Sequence, residues 1–203
     1  MMPDSKALSR AAFSKDAPTY DQSPRYSSLR AAYPLIAQEA LRHPFQAVLD
    51  IGCGTGGLLG VIHERRTAAN LFGLDLSGEM IAVAKAKLRD ADLRIGDSEH
   101  LPYEDGAFDL VTCTFSFHHY PNPKGVLAEI QRVLRAGGRL IMADPSIFPP
   151  LRQVFNALTR FSKDGGVHYY SMREMTDLAK TAGLKPLKWG KLNWHSFLFV
   201  AER

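Results

Sequence analysis

Four glycines and a carboxylate stand close together in the stretch Val48-Leu49-Asp50-Ile51-Gly52-Cys53-Gly54-Thr55-Gly56-Gly57. Apolar residues precede the glycines, and an apolar run follows them from Leu58 to Ile62, which predicts a strand, a tight turn and a helix in that order. Glycine permits positive φ and, because it lacks Cβ, lets the backbone lie close against a ligand. The turn could therefore hold a nucleotide-like ligand at the helix N-terminus, beyond the carboxyl end of the strand.

Asp50 decides between two classes of ligand for this turn. Gly52, Gly54 and Gly57 have the G-x-G-x-x-G spacing of dinucleotide sites, but a carboxylate beside the turn would repel a pyrophosphate. A cationic ammonium or sulfonium would be attracted instead, and S-adenosylmethionine (SAM) carries both groups and no phosphate. The run D-x-G-x-G-x-G resembles motif I of the class I SAM-dependent methyltransferases. A tight turn without any ligand is the alternative, and matching residues in the next strands disfavour it.

The composition is that of one soluble domain over residues 1–203. Hydrophobic residues make up 45% and charged residues 23%, and we predict neither a membrane-inserted segment nor a signal peptide. The net charge of +4 is scattered along the chain, which leaves nucleic acid open as a partner without indicating it. Cys53 and Cys113 suggest no disulfide framework, so we expect a cytoplasmic protein, as a monomer or homodimer. No metal site is predicted.

Two further carboxylates follow predicted strands. Asp75 ends the second strand, 25 residues after Asp50, where nucleotide-binding folds hold ribose hydroxyls. Ser77 should then cap a helix that carries Met80. The resemblance implies that Asp97, after a short third strand, faces the adenine amino group and that Ser98 adds backbone contacts. An ordinary Asx turn is the alternative for Asp97.

The fourth predicted strand, Phe108 to Thr114, runs into Phe115-Ser116-Phe117-His118-His119-Tyr120-Pro121-Asn122-Pro123. This stretch resembles the "FDxVxxxxxxHHxxxP" segment of the same family, in which the strand end borders the sulfonium. Consecutive side chains point in different directions, so we expect at most one of the two histidines to face the cavity. His119 is the candidate general base, with packing or a loop hydrogen bond as the alternative.

The N-terminal residues 1–42 are predicted to form a helical lid. Ala12 to Asp21 resembles the "F…A…YD" lead-in of methyltransferases that act on quinone precursors, and there the segment folds over the cofactor. An ordinary surface helix is the alternative. Leu29 to Arg42 should form a helix that breaks or begins at Pro34.

Residues 145–170 are predicted to be an insertion over the active site. We expect its apolar stripe of Leu151, Val154, Phe155 and Leu158 to pack on the sheet, and Tyr169 and Tyr170 to line a substrate cavity together with the segment around Tyr20 and Arg25. A capping box at Ser171 then opens a helix that ends at Gly183.

The order of the predicted elements indicates the fold class. Five strands alternate with helices, and a C-terminal hairpin follows, formed by Leu184–Lys191 and His195–Ala201. The predicted fold class is an α/β, Rossmann-like, seven-stranded and mostly parallel sheet with one antiparallel strand and helices on both faces. The resemblance covers about residues 12–143 and 171–202.

The resemblance implies a SAM-dependent methyltransferase that acts on a small-molecule acceptor by in-line displacement at the sulfonium. A tRNA or protein methyltransferase, a non-catalytic SAM-binding domain and an NAD-dependent reductase remain as alternatives, and Asp50 opposes the last. The residues expected to bind the cofactor are Tyr20, Asp50, Gly52, Cys53, Gly54, Gly56, Asp75, Leu76, Met80, Asp97, Ser98, Thr114 and Phe115.

Overall fold

A computed structural model describes residues 5–158 and 168–203, and a seven-stranded sheet forms its centre. The strand order is β3-β2-β1-β4-β5-β7-β6. All neighbouring strands from β3 to β5 are parallel, and only β7 runs against the others, which confirms the predicted fold class and hairpin. The strands are β1 Ala47–Ile51, β2 Asn70–Asp75, β3 Asp92–Ile95, β4 Phe108–Thr114, β5 Leu134–Pro145, β6 Lys185–Lys191 and β7 Ser196–Glu202.

The strand order reverses between β1 and β4. Chain connections leave these two strands in opposite directions, which opens a crevice beyond their carboxyl ends, where α/β folds bind ligands. The glycine turn follows β1, and the two histidines follow β4, so this reversal brings them to the same edge.

Helices cover both faces of the sheet. Among the described residues no helix is long and apolar enough to cross a membrane. The α-helices are α1 Ser5–Asp16, α2 Ser27–Ala40, α3 Gly57–Arg65, α4 Gly78–Lys87, α5 Pro123–Val133, α6 Leu151–Leu158 and α7 Met172–Thr181.

Two apolar cores hold the layers together. One joins the sheet to α5 and α7 through residues such as Ile130 and Met175, and the other joins it to α2, α3 and α4 through residues such as Ile36, Leu59 and Ile81. Each of these side chains is buried, so removing one would cost about 2–5 kcal/mol of folding free energy.

Side chains cap three helix starts, and the caps at Ser77 and Ser171 were predicted from the sequence. The Ser77 side chain accepts a hydrogen bond from the Met80 amide, and Asn122 accepts one from Gly125. Ser171 and Glu174 form a capping box at the start of α7. Such caps satisfy amide groups that the first helical turn leaves without partners.

The predicted break at Pro34 is wrong. α2 begins at Ser27 and passes through Pro34 to Ala40. Proline removes one internal hydrogen bond, but the buried residues Ala32, Ile36 and Ala37 on either side of it keep the helix packed against the core.

The predicted packing of the α6 stripe on the sheet is also wrong. No residue of α6 is buried, and Leu151, Val154, Phe155 and Leu158 are all exposed. The other helices form the two apolar cores with the sheet, and neither core includes a residue of α6. Phe161, which continues the stripe in the sequence, lies outside the described residues.

Candidate functional site

A cleft of about 960 Å³, which includes solvent at its mouth, lies at the carboxyl ends of β1, β2 and β4. Clefts at this position in α/β folds are where small molecules and cofactors bind. The glycine turn and the ends of β2 and β4 form its floor, and residues of α1 together with Tyr20 cover it.

The glycine turn has the backbone conformation that its sequence predicts. Gly52 and Gly54 have φ values of +69° and +53°, which L residues with side chains rarely adopt. The amides of Gly52 and Cys53 donate to the Leu74 carbonyl at 2.8 and 3.1 Å, which fastens the turn to β2. A Cβ on Gly54 would meet no atom within 4 Å, so the surface beside this residue is open to the cleft.

Asp75 joins the glycine turn to the end of β2. One carboxylate oxygen accepts from the Gly54 amide at 2.8 Å, and the other accepts from the Ser77 amide at 2.9 Å. Burial raises the pKa of the carboxyl, while these amides act in the opposite direction. The side chain lines the cleft, where its remaining lone pairs can accept from hydroxyl groups.

Asp50 is a buried carboxylate in the wall of the cleft, with 1% of its surface exposed. Its Oδ1 accepts a hydrogen bond from the Thr112 hydroxyl at 2.7 Å. Burial raises the pKa of Asp50 to about 7, since desolvation penalises the charged form. A cation in the cleft would favour the ionised form and would be bound by it.

The end of β4 contains a strained residue. Phe115 has a φ of +55°, and its amide donates to the Ala143 carbonyl at 2.7 Å. A bulky residue in the left-handed region costs about 1–3 kcal/mol and persists where its surroundings hold it. The strained turn places Thr114, Phe115 and Ser116 in the lining of the cleft.

The two adjacent histidines have separate surroundings, as predicted. His119 lines the cleft and contacts the Phe13 ring edge-to-face, with ring centroids 5.3 Å apart. His118 lies beside it, where its Nδ1 is 2.7 Å from the buried Asp144 carboxylate and its ring stacks with Tyr169. Of the two, His119 is therefore the one that faces the cleft.

Polar contacts fasten the N-terminal segment over the cleft. The Lys6 Nζ lies 2.6 Å from Asp97 and 2.5 Å from Glu99, at the end of the cleft where Asp97 is predicted to face adenine. These ion pairs and the Glu99 amide lower the pKa of Asp97 against the effect of burial. The Asp21 carboxylate accepts from Thr55 and Lys87 at 2.7 and 2.8 Å, which ties the same segment to α4 and to the glycine turn.

Aromatic rings form the wall opposite the sheet. Phe13 and Tyr20 line the cleft, and the Tyr20 ring stacks on Tyr26 with centroids 4.1 Å apart. Burial raises the pKa of Tyr20 to about 12, so its hydroxyl stays protonated and neutral at physiological pH. Phe13 and Tyr20 therefore give this wall an apolar part, beside the cationic side chains of Lys6 and Arg10.

Most of the predicted site residues meet in this cleft. Gly56 does not line it: with a φ of +76° it faces Leu88 and Ala84 of the α4 region, so its small size serves packing. The residues brought together are Tyr20, Asp50, Gly52, Cys53, Gly54, Asp75, Leu76, Met80, Asp97, Ser98, Thr114, Phe115 and His119.

The described residues of 145–170 do not line the cleft, contrary to the expectation for Tyr169 and Tyr170. Tyr170 is buried in the core against Phe117, with ring centroids 5.1 Å apart. Tyr169 stacks on His118 instead of facing the cavity. The glycine break before them suggested exposed rings, but their neighbours in the fold bury or cover them.

Several lining residues were missed. Lys6, Tyr33, Ser116 and Tyr120 all reach the cleft. Tyr33 lies three residues before Ile36 on the buried face of α2, a spacing that could have identified it. The sequence gives no signal for Ser116, whose hydroxyl contacts the Ile51 carbonyl and the Tyr120 hydroxyl at 3.2 and 3.1 Å.

Comparisons with known proteins agree with this arrangement. A family model described as a methyltransferase domain matches residues 49–142. A demethylmenaquinone methyltransferase from Deinococcus radiodurans is 37% identical over 155 residues, which are 73% of this chain and 64% of the relative. One from Thermus thermophilus is 36% identical over 149 residues, which are 68% of this chain and 64% of that relative. The chain thus spans slightly less than two thirds of the length of these relatives.

A solved structure shares the fold. The SAM-dependent methyltransferase from Aquifex aeolicus superposes with a TM-score of 0.72 at 19% identity, covering 95% of this chain and 97% of that chain. At this level of identity the likeness extends to the fold alone, and the chemistry has to be argued from the site.

Proposed function

We propose that this chain, whose matching family model and relatives are methyltransferases, transfers a methyl group from SAM to a small aromatic acceptor. The observation that carries the proposal is the meeting, in one cleft, of the glycine turn, two buried carboxylates and an aromatic wall that faces His119.

The side chains of the cleft fit SAM. Gly54 leaves open space beside the turn, Asp50 offers a buried carboxylate to a cationic group, and Asp75 offers acceptor sites for ribose hydroxyls. Asp97 and Ser98 would hold the adenine end. When bound, SAM supplies an electrophilic methyl group on its sulfonium.

The protein's own contribution is to orient the acceptor and exclude water. Phe13, Tyr20 and Phe115 supply apolar surface for a flat acceptor ring, and the cover formed by α1 shields the cleft from solvent. His119 is the side chain we assign to accept the acceptor's proton, since it is the histidine that lines the cleft.

We infer that the acceptor belongs to the quinone-like aromatics. The name of the relatives from Deinococcus and Thermus indicates demethylmenaquinone, and the rings of the cleft suit a flat apolar molecule. The charges give no comparable support to a macromolecular acceptor, because the net charge of +4 includes no run of five like charges.

Methyl transfer from radiolabelled SAM to a panel of acceptors tests the proposal. We expect label in a reduced, short-chain demethylmenaquinone analogue and not in tRNA or protein. Label only in tRNA or protein would overturn the assignment of the acceptor. SAM binding with no transfer to any member of the panel would favour a non-catalytic domain.

The role of His119 has its own test. His119→Asn should lower turnover by about 10²-fold while SAM still binds, because only the proton acceptor is lost. His118→Asn is the matched control, since its ring does not line the cleft. A loss smaller than about threefold in His119→Asn would assign His119 to packing.

A further inference from the structure

The apolar face of α6 points into solvent. Leu151, Val154, Phe155 and Leu158 are spaced one helical turn apart and are 55%, 54%, 47% and 57% exposed. Surface helices normally bury such a stripe and expose the polar side. Here the stripe stays about half exposed, and its one ring contact among the described residues is edge-to-face between Phe155 and Tyr169, with centroids 6.3 Å apart.

Asn156 fixes this orientation. Its side-chain amide donates to the Tyr169 carbonyl at 3.1 Å and accepts from the Tyr169 amide at 2.8 Å. Tyr169 stacks in turn on His118, beside the cleft. Asn156 therefore fastens α6 to Tyr169 in an orientation that leaves Leu151, Val154, Phe155 and Leu158 exposed.

Two exposed aromatic residues extend the apolar surface. Phe148, in the loop before α6, is 77% exposed, and Trp194, in the turn between β6 and β7, is 89% exposed. The two loops are neighbours, since the Ser146 amide donates to the His195 carbonyl at 2.8 Å. We call the surface formed by Phe148, Leu151, Val154, Phe155, Leu158 and Trp194 the apolar rim.

The charges beside the apolar rim are cationic. Residues 145–158 and 191–195 include Arg152 and Lys191 and not one aspartate or glutamate. The Lys191 Nζ lies 5.7 Å from the centre of the Trp194 ring. Exposed apolar residues with a tryptophan and flanking cations are typical of surfaces that lie at the interface of an anionic membrane.

We propose that the apolar rim docks this protein onto an anionic lipid surface without spanning it. α6 follows β5 at the carboxyl-end edge of the sheet, the same edge that holds the cleft. Docking would place the cleft beside the lipid. This proposal rests on the exposed surface alone and stands whether or not the acceptor assignment is right.

The charges of the apolar rim also favour an anionic lipid surface over a second copy of this chain as the partner. In a two-fold dimer the same surface meets itself, so Arg152 and Lys191 of each copy would lie close to the cations of the other. Anionic headgroups would neutralise them. Charge complementarity therefore favours lipid.

Co-sedimentation with phosphatidylcholine vesicles, with and without phosphatidylglycerol, tests the proposal. The wild-type protein should bind the anionic vesicles, and added salt should weaken binding. Val154→Gln with Leu158→Gln should weaken it by at least about tenfold, because less apolar surface enters the interface. Leu35→Gln with Leu187→Gln, which changes two exposed leucines elsewhere, should bind as the wild type does.

Fluorescence supplies a second readout of the same contact. The difference spectrum between the wild type and Trp194→Phe should shift to the blue with anionic vesicles, because Trp194 leaves water. Absence of vesicle binding, or equal binding by the wild type and the α6 double variant, would overturn the proposal. So would a concentration-dependent dimer that the double variant abolishes while vesicles stay unbound.

Discussion

The floor of the cleft and its N-terminal cover are held by different kinds of interaction. Backbone amides and buried carboxylates fix the floor, as in the bonds from Gly54 to Asp75 and from Thr112 to Asp50. Partly exposed polar side chains hold the cover, as in the ion pair of Lys6 with Asp97. Exposed ion pairs contribute little because water screens them. The difference indicates a rigid floor for the cofactor and a cover that can open to admit ligands.

A methyl group at the turn should damage the floor most. Gly52→Ala would place a Cβ 2.5 Å from the Ser116 Cβ and 2.8 Å from the Tyr120 hydroxyl, in addition to the cost of a φ of +69°. We expect the free energy of unfolding to fall by about 2–5 kcal/mol in denaturant titrations.

Gly54→Ala is the matched control for that change. Its φ is +53°, but its added Cβ meets no atom within 4 Å, so only the backbone cost of about 1–2 kcal/mol should remain. Equal losses in the two variants would show that close packing on Ser116 does not hold the turn.

Removal of the Asp75 carboxylate should weaken SAM binding by about 1.5–3 kcal/mol, the size of hydrogen bonds to a charged group. Calorimetry on Asp75→Ala measures this, and Asp90→Ala, which changes an exposed carboxylate outside the cleft, is the control. Unchanged affinity in a folded Asp75→Ala protein would mean that Asp75 is not the ribose ligand.

Asp50 should make SAM binding depend on pH. Its pKa is raised to about 7, so the carboxylate that attracts a cation is lost as pH falls below that value. We expect the affinity for SAM to fall by up to about tenfold for each pH unit below about 7 and to level off above that value. The α-amino group of SAM stays protonated below about pH 7, so the ligand's charge is constant over the pH range in which affinity falls.

Asp50→Asn should remove most of that dependence. Asp75, whose pKa is also raised by burial, is the other carboxylate in the floor that could titrate with the ligand. If the affinity of Asp50→Asn for SAM depends on pH as steeply as that of the wild type, the pH dependence comes from Asp75 instead.

The smallest effect on stability should come from the cover. Lys6→Met removes the ion pairs with Asp97 and Glu99, whose side chains are partly exposed, so the free energy of unfolding should change by less than about 1 kcal/mol. Hydrogen exchange in residues 5–16 should nevertheless become faster. A loss of stability as large as that of Gly52→Ala would place the cover in the same cooperative unit as the floor.

The same contrast separates what the sequence could predict from what it could not. The glycines, Asp50 and Asp75 act through local backbone geometry and strand order, and both can be inferred from short stretches. Lys6 and Ser116 reach the cleft through tertiary packing that their neighbours in the chain do not encode.

The α6 stripe teaches a related lesson. Its spacing indicated an apolar face, but periodicity identifies such a face without saying what covers it. Neither apolar core includes α6, and the stripe of Leu151, Val154, Phe155 and Leu158 is exposed.

Calorimetric titration of the protein with SAM and, separately, with NAD tests the central claim most directly. The buried Asp50 beside the glycine turn should attract the cationic ligand and repel the pyrophosphate. We expect SAM to bind with a dissociation constant of about micromolar size and NAD to give no measurable heat. Tighter binding of NAD than of SAM would contradict the assignment of this cleft.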